Sequence, residues 1–109
     1  MPLTVAVLAV RGEYDLDNAV PLRRRLEEAA AAHDAIVLEA SGVTFADSTF
    51  LTVLLRINLR TPLRVAAASR QVERLLTITG VDQVLGLHPT VREAYEAAVR
   101  GVGPDGAGT

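Results

Sequence analysis

The chain has 109 residues, half of them hydrophobic, with a mean hydropathy of +0.27 and a formal charge of −2. That is enough for one domain with a filled core and too little for two, and the charge argues against nonspecific nucleic-acid binding, which needs a basic face. Cysteine is absent and aromatics make up 4%, so disulfides, thiolate zinc sites and cysteine nucleophiles are excluded, and the core has to be built from Val, Leu, Ile and Ala.

The start, MPLTVAVLAV, lacks a basic leader and runs straight into RGEYD. It does not read as a signal peptide, and no apolar run reaches the roughly eighteen residues of a membrane span. The expectation is a soluble cytoplasmic protein. Leu3 to Val10 is rich in Val and Leu and predicts a strand buried on both faces, with Gly12 as its breaker. LDNAVPLRRRLEEAAAAH predicts a helix capped by Asn18, which puts Pro21 at the third helical position, where a missing N–H breaks no intrahelical bond. Ala19, Leu22, Leu26 and Ala29 then form its apolar stripe. Arg23, Arg24 and Arg25 are the one basic cluster and read as the solvated face of that helix beside Glu27 and Glu28.

Ala35 to Ala40 predicts a second strand, followed by a loop from Ser41 to Asp47 with a turn at Gly42. A helix runs from Ser48 to about Arg60, and Pro62 resets the chain. A third strand covers Leu63 to Ser69. The next helix, RQVERLLTITG, is closed by Gly80. A short strand lies near Val84 to Leu87. Thr90 and Glu93 form a capping box that opens the last helix, which ends at Arg100. The tail from 101 to 109, GVGPDGAGT, is Gly-rich and reads as disordered. Strands alternating with helices predict a largely parallel sheet with crossover helices. Neither a G-x-G-x-x-G nor a GK[ST] loop is present, so no familiar nucleotide cradle is expected.

Three features carry chemistry. Asp47, Ser48 and Thr49 stand at a helix start and are all good caps. A serine there also sits in the field of the helix dipole, where a phosphate is stabilised by roughly 0.3–1 kcal/mol, and the phosphate adds about −1.5 to −2 charges beside Asp47. That makes Ser48 a candidate switch. A hydrolase reading requires a base aimed at Ser48; His33 and His88 are the only histidines, no spacing joins them to it, and there is no G-x-S-x-G elbow. No residue is assigned as catalytic. Second, Glu13, Asp15 and Asp17 crowd carboxylates just after a strand. Oxygen ligands suit magnesium, but a solvated loop with a helix cap is the preferred reading, and no metal or cofactor is assigned. Third, Phe50, Leu51, Val53, Leu54, Leu55, Ile57 and Leu59 cover more than one face of their helix. Either that helix is buried on most sides or part of it is an interaction surface.

VLAVRGEYDLDNAVPLRRRL, IVLEASGVTFADSTFLTVLLRI and PLRVAAASRQVERLLTITGVDQVLGLHPTVREA, in that order, resemble a STAS domain of the anti-sigma factor antagonist type over about residues 5 to 98. The specific motif is a hydrophobic strand, a small residue, Gly-Val, three residues, then Asp-Ser-Ser-Gly, here Ile36 to Leu38, Ser41, Gly42, Val43, then Asp47, Ser48, Thr49 and Phe50. Gly12, Glu13, Tyr14 and Asp15 match the family's Gly-Glu-hydrophobic-Asp, and Val72, Leu75 and Leu76 ahead of Gly80 match its last third.

The resemblance implies a small mixed, mainly parallel α/β sheet of four to five strands covered by about four helices, in a single domain over residues 1–100. It implies a non-enzymatic antagonist that binds an anti-sigma factor with serine kinase activity and so frees a sigma factor for transcription. The kinase then phosphorylates Ser48 and the complex dissociates; a phosphatase resets it. Asp47, Thr49 and Asp15 would neighbour the phosphoacceptor, and Asp15, Asn18, Phe50, Leu51 and Leu54 would meet the partner. The alternative is a STAS module that is never phosphorylated, held in a stressosome-like scaffold or as the accessory subunit of a lipid transporter, with Phe50 as an apolar anchor. Phe50 replaces the family's glycine, and Thr49 its second serine. The N-terminus has room for one strand before RGEYD where many relatives place two, and this, with the apolar helix, leaves a homodimer open.

Overall fold

The structure, a computed structural model, describes residues 2–102. Four strands, β1 (Val5–Tyr14), β2 (Ala35–Ala46), β3 (Leu63–Ala66) and β4 (Gly86–His88), alternate with four helices, α1 (Ala19–Ala32), α2 (Ser48–Arg60), α3 (Arg70–Thr79) and α4 (Val91–Val102). The sheet order is β1-β2-β3-β4 and every pairing is parallel. The expected sheet of four to five strands is met at four, and where a mixed, mainly parallel sheet was expected every strand is parallel, because each β-α-β crossover returns the chain in the same direction.

Each crossover leads to the next strand in the same direction, so crossovers of one hand place α1, α2 and α3 on one face. Their apolar stripes close a single core there with Ala6, Val10, Ile36, Leu38, Leu63 and Val65 from the strands. The stripe of α1 is the one its spacing predicts: Ala19, Leu22, Leu26 and Ala29 are all buried. After β4 the chain returns across the opposite face, where α4 sets Ala94 and Ala98 against Ala35, Val37 and Ala66. β2, a central strand covered on both faces, is accordingly buried without alternation from Ala35 to Leu38.

Several boundaries differ from the sequence reading. The segment from Ser41 to Ala46 is strand, not loop, and β1 continues through Gly12 to Tyr14. The two strands stay paired from Val5↔Ala35 to Tyr14↔Ala46, with register shifts between Ala9 and Arg11 and between Gly12 and Glu13. Each shift adds one residue to β2, which bends the strand as a bulge does. Gly12, at φ 93°, takes a left-handed backbone at the second shift instead of ending the strand. Gly42 makes no turn: a Cβ there would stand 2.9 Å from Arg11 Cβ, so glycine allows the close approach of the strands.

β3 stops at Ala66, because Ala67 turns to φ 51°. Gly80 ends α3 in the left-handed conformation as predicted, but a short 3-10 turn, Val81–Gln83, follows and moves the last strand to Gly86–His88. Thr90 Oγ1 accepts from Glu93 N–H at 3.1 Å, the predicted cap of α4. α4 runs on through Gly101 to Val102, two residues beyond the expected boundary. The rest of the tail, 103 to 109, lies outside the described residues, as does the expectation of disorder there.

Candidate functional site

β1 and β2 end together, Tyr14 beside Ala46. The Asp15–Asn18 loop and the Asp47–Ser48 helix start therefore leave the sheet side by side at the carboxyl ends of adjacent parallel strands, a usual place for binding loops.

Asp47 is extended (φ −122°, ψ −165°), and its carboxylate Oδ1 accepts from Thr49 N–H at 2.8 Å. It is the N-cap of α2 and satisfies one of the orphan donors there. Ser48 is the first helical residue and is exposed; Thr49 is half-buried. Thr52 Oγ1 donates to the Ser48 carbonyl at 2.9 Å. Among the described residues the Ser48 hydroxyl itself makes no hydrogen bond, so it stands free in the field of the helix N-terminus.

On the other loop, Asp15 Oδ1 accepts from the N–H groups of Asp17 at 2.9 Å and Asn18 at 3.2 Å. Asn18 returns the bond: its Oδ1 accepts from Asp15 N–H at 2.7 Å and its Nδ2 donates to the Glu13 carbonyl at 2.7 Å. Asn18 occupies the N-cap position of α1 but makes no side-chain cap bond, contrary to the sequence reading. Its amide is spent on holding the loop. The Asp15 carboxylate is likewise committed to backbone, and among the described residues no group of three acidic or histidine side chains converges on a metal position.

Three expected contact residues are placed elsewhere. Phe50, Leu51 and Leu54 lie in the core at 0%, 6% and 0% exposure. Helical spacing turns them toward the sheet, and the Phe50 ring packs on Tyr14. Phe50 is therefore not a surface anchor, and the apolar helix is one buried on most sides, with Leu59 left out in solvent. The accessible part of the predicted site is Ser48, Asn18 and, half-buried, Asp15, Asp47 and Thr49.

Neither histidine approaches Ser48. His33 stands just before β2 begins and Ser48 just after it ends. His88 pairs level with Ala66, and Ala66 with Glu39, which leaves it two strands across and roughly 20 Å along the sheet from Ala46. Among the described residues no histidine pairs with Ser48. Of the basic triplet, Arg23 Nε lies 3.9 Å from Glu27 Oε2, a half-exposed pair worth little, and Arg25 Nη2 donates to the Ala9 carbonyl at 3.3 Å.

The sequence reading missed one feature beside this site. A groove of about 460 Å³ between α1 and α2 is lined by Leu16, Val20, Arg23, Thr49, Arg56 and Arg60 among others. The signal was Arg56 and Arg60, four apart and the only charged residues of α2. Among the described residues no helix is long and apolar enough to cross a membrane.

A family model described as "Mlab, STAS domain" matches residues 2–89. No curated protein matches the chain. Among solved structures, the chain is similar to an anti-sigma factor antagonist from Mycobacterium paratuberculosis, at 29% identity and a TM-score of 0.79, over 87% of this chain and 86% of that one. A putative anti-sigma factor antagonist from Thermotoga maritima shares the fold at 24% identity and a TM-score of 0.78, with 88% of each chain covered. So does the STAS domain of a SulP transporter from Vibrio cholerae, at 20% identity and a TM-score of 0.66, over 91% of this chain and 84% of that one.

Proposed function

The chain belongs to the STAS domain family, and from that premise we propose that it is an anti-sigma factor antagonist switched by phosphorylation at Ser48. In the unphosphorylated form it binds an anti-sigma factor with serine kinase activity and releases the sigma factor. The kinase then moves the γ-phosphoryl group of ATP to Ser48 Oγ: the new O–P bond forms as the bond to the ADP leaving group breaks, and the hydroxyl proton leaves to the kinase. The phosphoserine ends the complex and a phosphatase restores the serine. The protein is the substrate of this chemistry and needs no cofactor of its own.

The observation that carries the reading is the exposed, unbonded hydroxyl of Ser48 on the first turn of α2, with Asp47 as cap and the Asp15 loop alongside. The helix field tolerates a phosphate there. The same phosphate adds about −1.5 to −2 charges to a rim that already holds Asp47 and Asp15, enough to repel a partner fitted to the neutral surface. The likeness to the Mycobacterium paratuberculosis antagonist supports the same reading.

The test is to incubate the protein with its kinase-type anti-sigma factor and ATP and to map phosphate by mass spectrometry. Phosphate on Ser48, with binding retained but release lost in Ser48→Ala, is the expected result. Stable binding with Ser48 never modified would instead support the second reading, a STAS module that is never phosphorylated, held in a stressosome-like scaffold or as the accessory subunit of a lipid transporter; the STAS domain of the SulP transporter shares the fold.

A further inference from the structure

The groove between α1 and α2 is apolar inside and basic at its rim. Ala19, Val53 and Ile57 of the core form its floor, and Leu16 and Val20 its lip, 79% and 42% exposed. Arg23, Arg56 and Arg60 border it against one acid, Glu27. Arg23 already holds Glu27 at 3.9 Å. Arg56 and Arg60, one helical turn apart, enter no ion pair among the described residues. The chain as a whole is negative, at −2, so this rim is opposite in sign to its molecule. One end of the groove is Thr49 and Thr52, the next residue after Ser48 and the one a turn later.

We infer that the groove docks an acidic amphipathic helix of the partner, a proposal that rests on the antagonist reading above and names the part of the partner that Ser48 controls. A helix laid between two helices offers apolar side chains at three- and four-residue spacing, which meet Leu16, Val20 and the floor. Its carboxylates meet Arg56 and Arg60, whose planar guanidinium groups pair with carboxylates in a directional, sign-specific way. Charge fixes the direction of the switch. A phosphate at Ser48 brings about −1.5 to −2 charges to the Thr49 end of the groove, opposes an acidic occupant and offsets the attraction of the arginines. A basic occupant would be held more firmly by the same modification.

The test measures affinity of the kinase-type anti-sigma factor, without ATP, for wild type, for Arg56→Glu/Arg60→Glu, for Leu16→Asp and for Arg70→Glu/Arg74→Glu, which makes the same charge change on α3. Thermal unfolding of each verifies the fold, and Leu16→Asp, at a residue already in solvent, keeps the groove testable if the double reversal does not fold. Binding weaker by about tenfold or more in both groove variants and less than about threefold in the α3 control is expected, with a steep salt dependence in wild type and the α3 control that is lost in Arg56→Glu/Arg60→Glu. Equal loss in the control and the groove reversal, or no loss in either groove variant, overturns the proposal. Loss in Leu16→Asp with none in Arg56→Glu/Arg60→Glu overturns the acidic occupant. Phosphate incorporation into Ser48, followed separately with ATP, reports on the antagonist reading: a kinase that binds through the groove but leaves Ser48 unmodified defeats the switch and not the groove.

Discussion

The rings of Tyr14 and Phe50 face each other with centroids 5.5 Å apart and planes tilted by 35°. One closes β1 and the other lies on the first turn of α2, so a single aromatic contact ties the two loops of the site to each other from beneath. Aromatic pairs at this separation add about 0.5–1.5 kcal/mol beyond the area they bury.

Phe50→Ala is therefore expected to cost about 3–5 kcal/mol of stability, the usual range for an emptied aromatic core position. Phe50→Gly should cost about 1 kcal/mol more through loss of helix propensity. Urea unfolding monitored by circular dichroism measures both. A change in partner affinity with unaltered stability would contradict the buried position.

At the neighbouring cap the two polar residues separate. Asp47→Ala removes the carboxylate that accepts from Thr49 N–H and should lower stability by about 1 kcal/mol. Ser48→Ala, at an exposed site whose hydroxyl holds nothing, should stay within about 0.5 kcal/mol of wild type while abolishing phosphate incorporation. Denaturation and mass spectrometry on the same pair of variants verify this.

Gly42→Ala brings a Cβ within 2.9 Å of Arg11 Cβ and 3.4 Å of the Val10 carbonyl. Neither is the free end of a flexible chain, so the strands must part, at about 1–3 kcal/mol. Gly12→Ala meets no atom within 4 Å and pays only for its φ of 93°, about 1–2 kcal/mol. The two are distinguished by a double-mutant cycle: Arg11→Gly should reduce the cost of Gly42→Ala.

Stability should fall on mild acidification through His88. Burial first, and then the Arg64 guanidinium, hold its imidazole below the ordinary 6.5; Arg100 adds to this and Glu93 opposes it. The neutral ring accepts from Arg64 Nη1 at 3.2 Å. As pH drops through about 6.5 the unfolded chain takes up a proton before the folded chain does, so this stability is complete above that value and lost below it, toward the depressed folded value. Thermal midpoints from about pH 7.5 to about pH 5.5 should decline less in His88→Gln, which can still accept from Arg64.

What the sequence made legible were the features with a regular period or a strong punctuation mark. The three-four spacing of Ala19, Leu22, Leu26 and Ala29, the glycine stop at Gly80 and the caps at Asp47 and Thr90 all stand where local chemistry puts them. Ser48 was readable for the same reason, since a helix start is a local event. The second half of β2 was not. Its core-facing residues run Ile36, Leu38, Ala40, then Val43 and Ala46, so the two-residue step becomes three at each register shift and the strand period vanishes. Phe50 was misplaced for a different reason. A family pattern with glycine there invites a surface reading, whereas only the path of α2 over Tyr14 shows that the ring has a hole to fill.

Those two irregular steps in β2 also make it a strand whose length can change. A residue removed between Ala35 and Glu39 would slide everything after it past both neighbours and carry Asp47 off its turn. A residue removed at either irregularity, Ser41 or Thr44, restores ordinary pairing and leaves Tyr14 beside Ala46. Single-residue deletions should accordingly be survivable at those two places and ruinous a few positions earlier, so that in a deletion scan the tolerated positions would mark out the bulges without any view of the backbone.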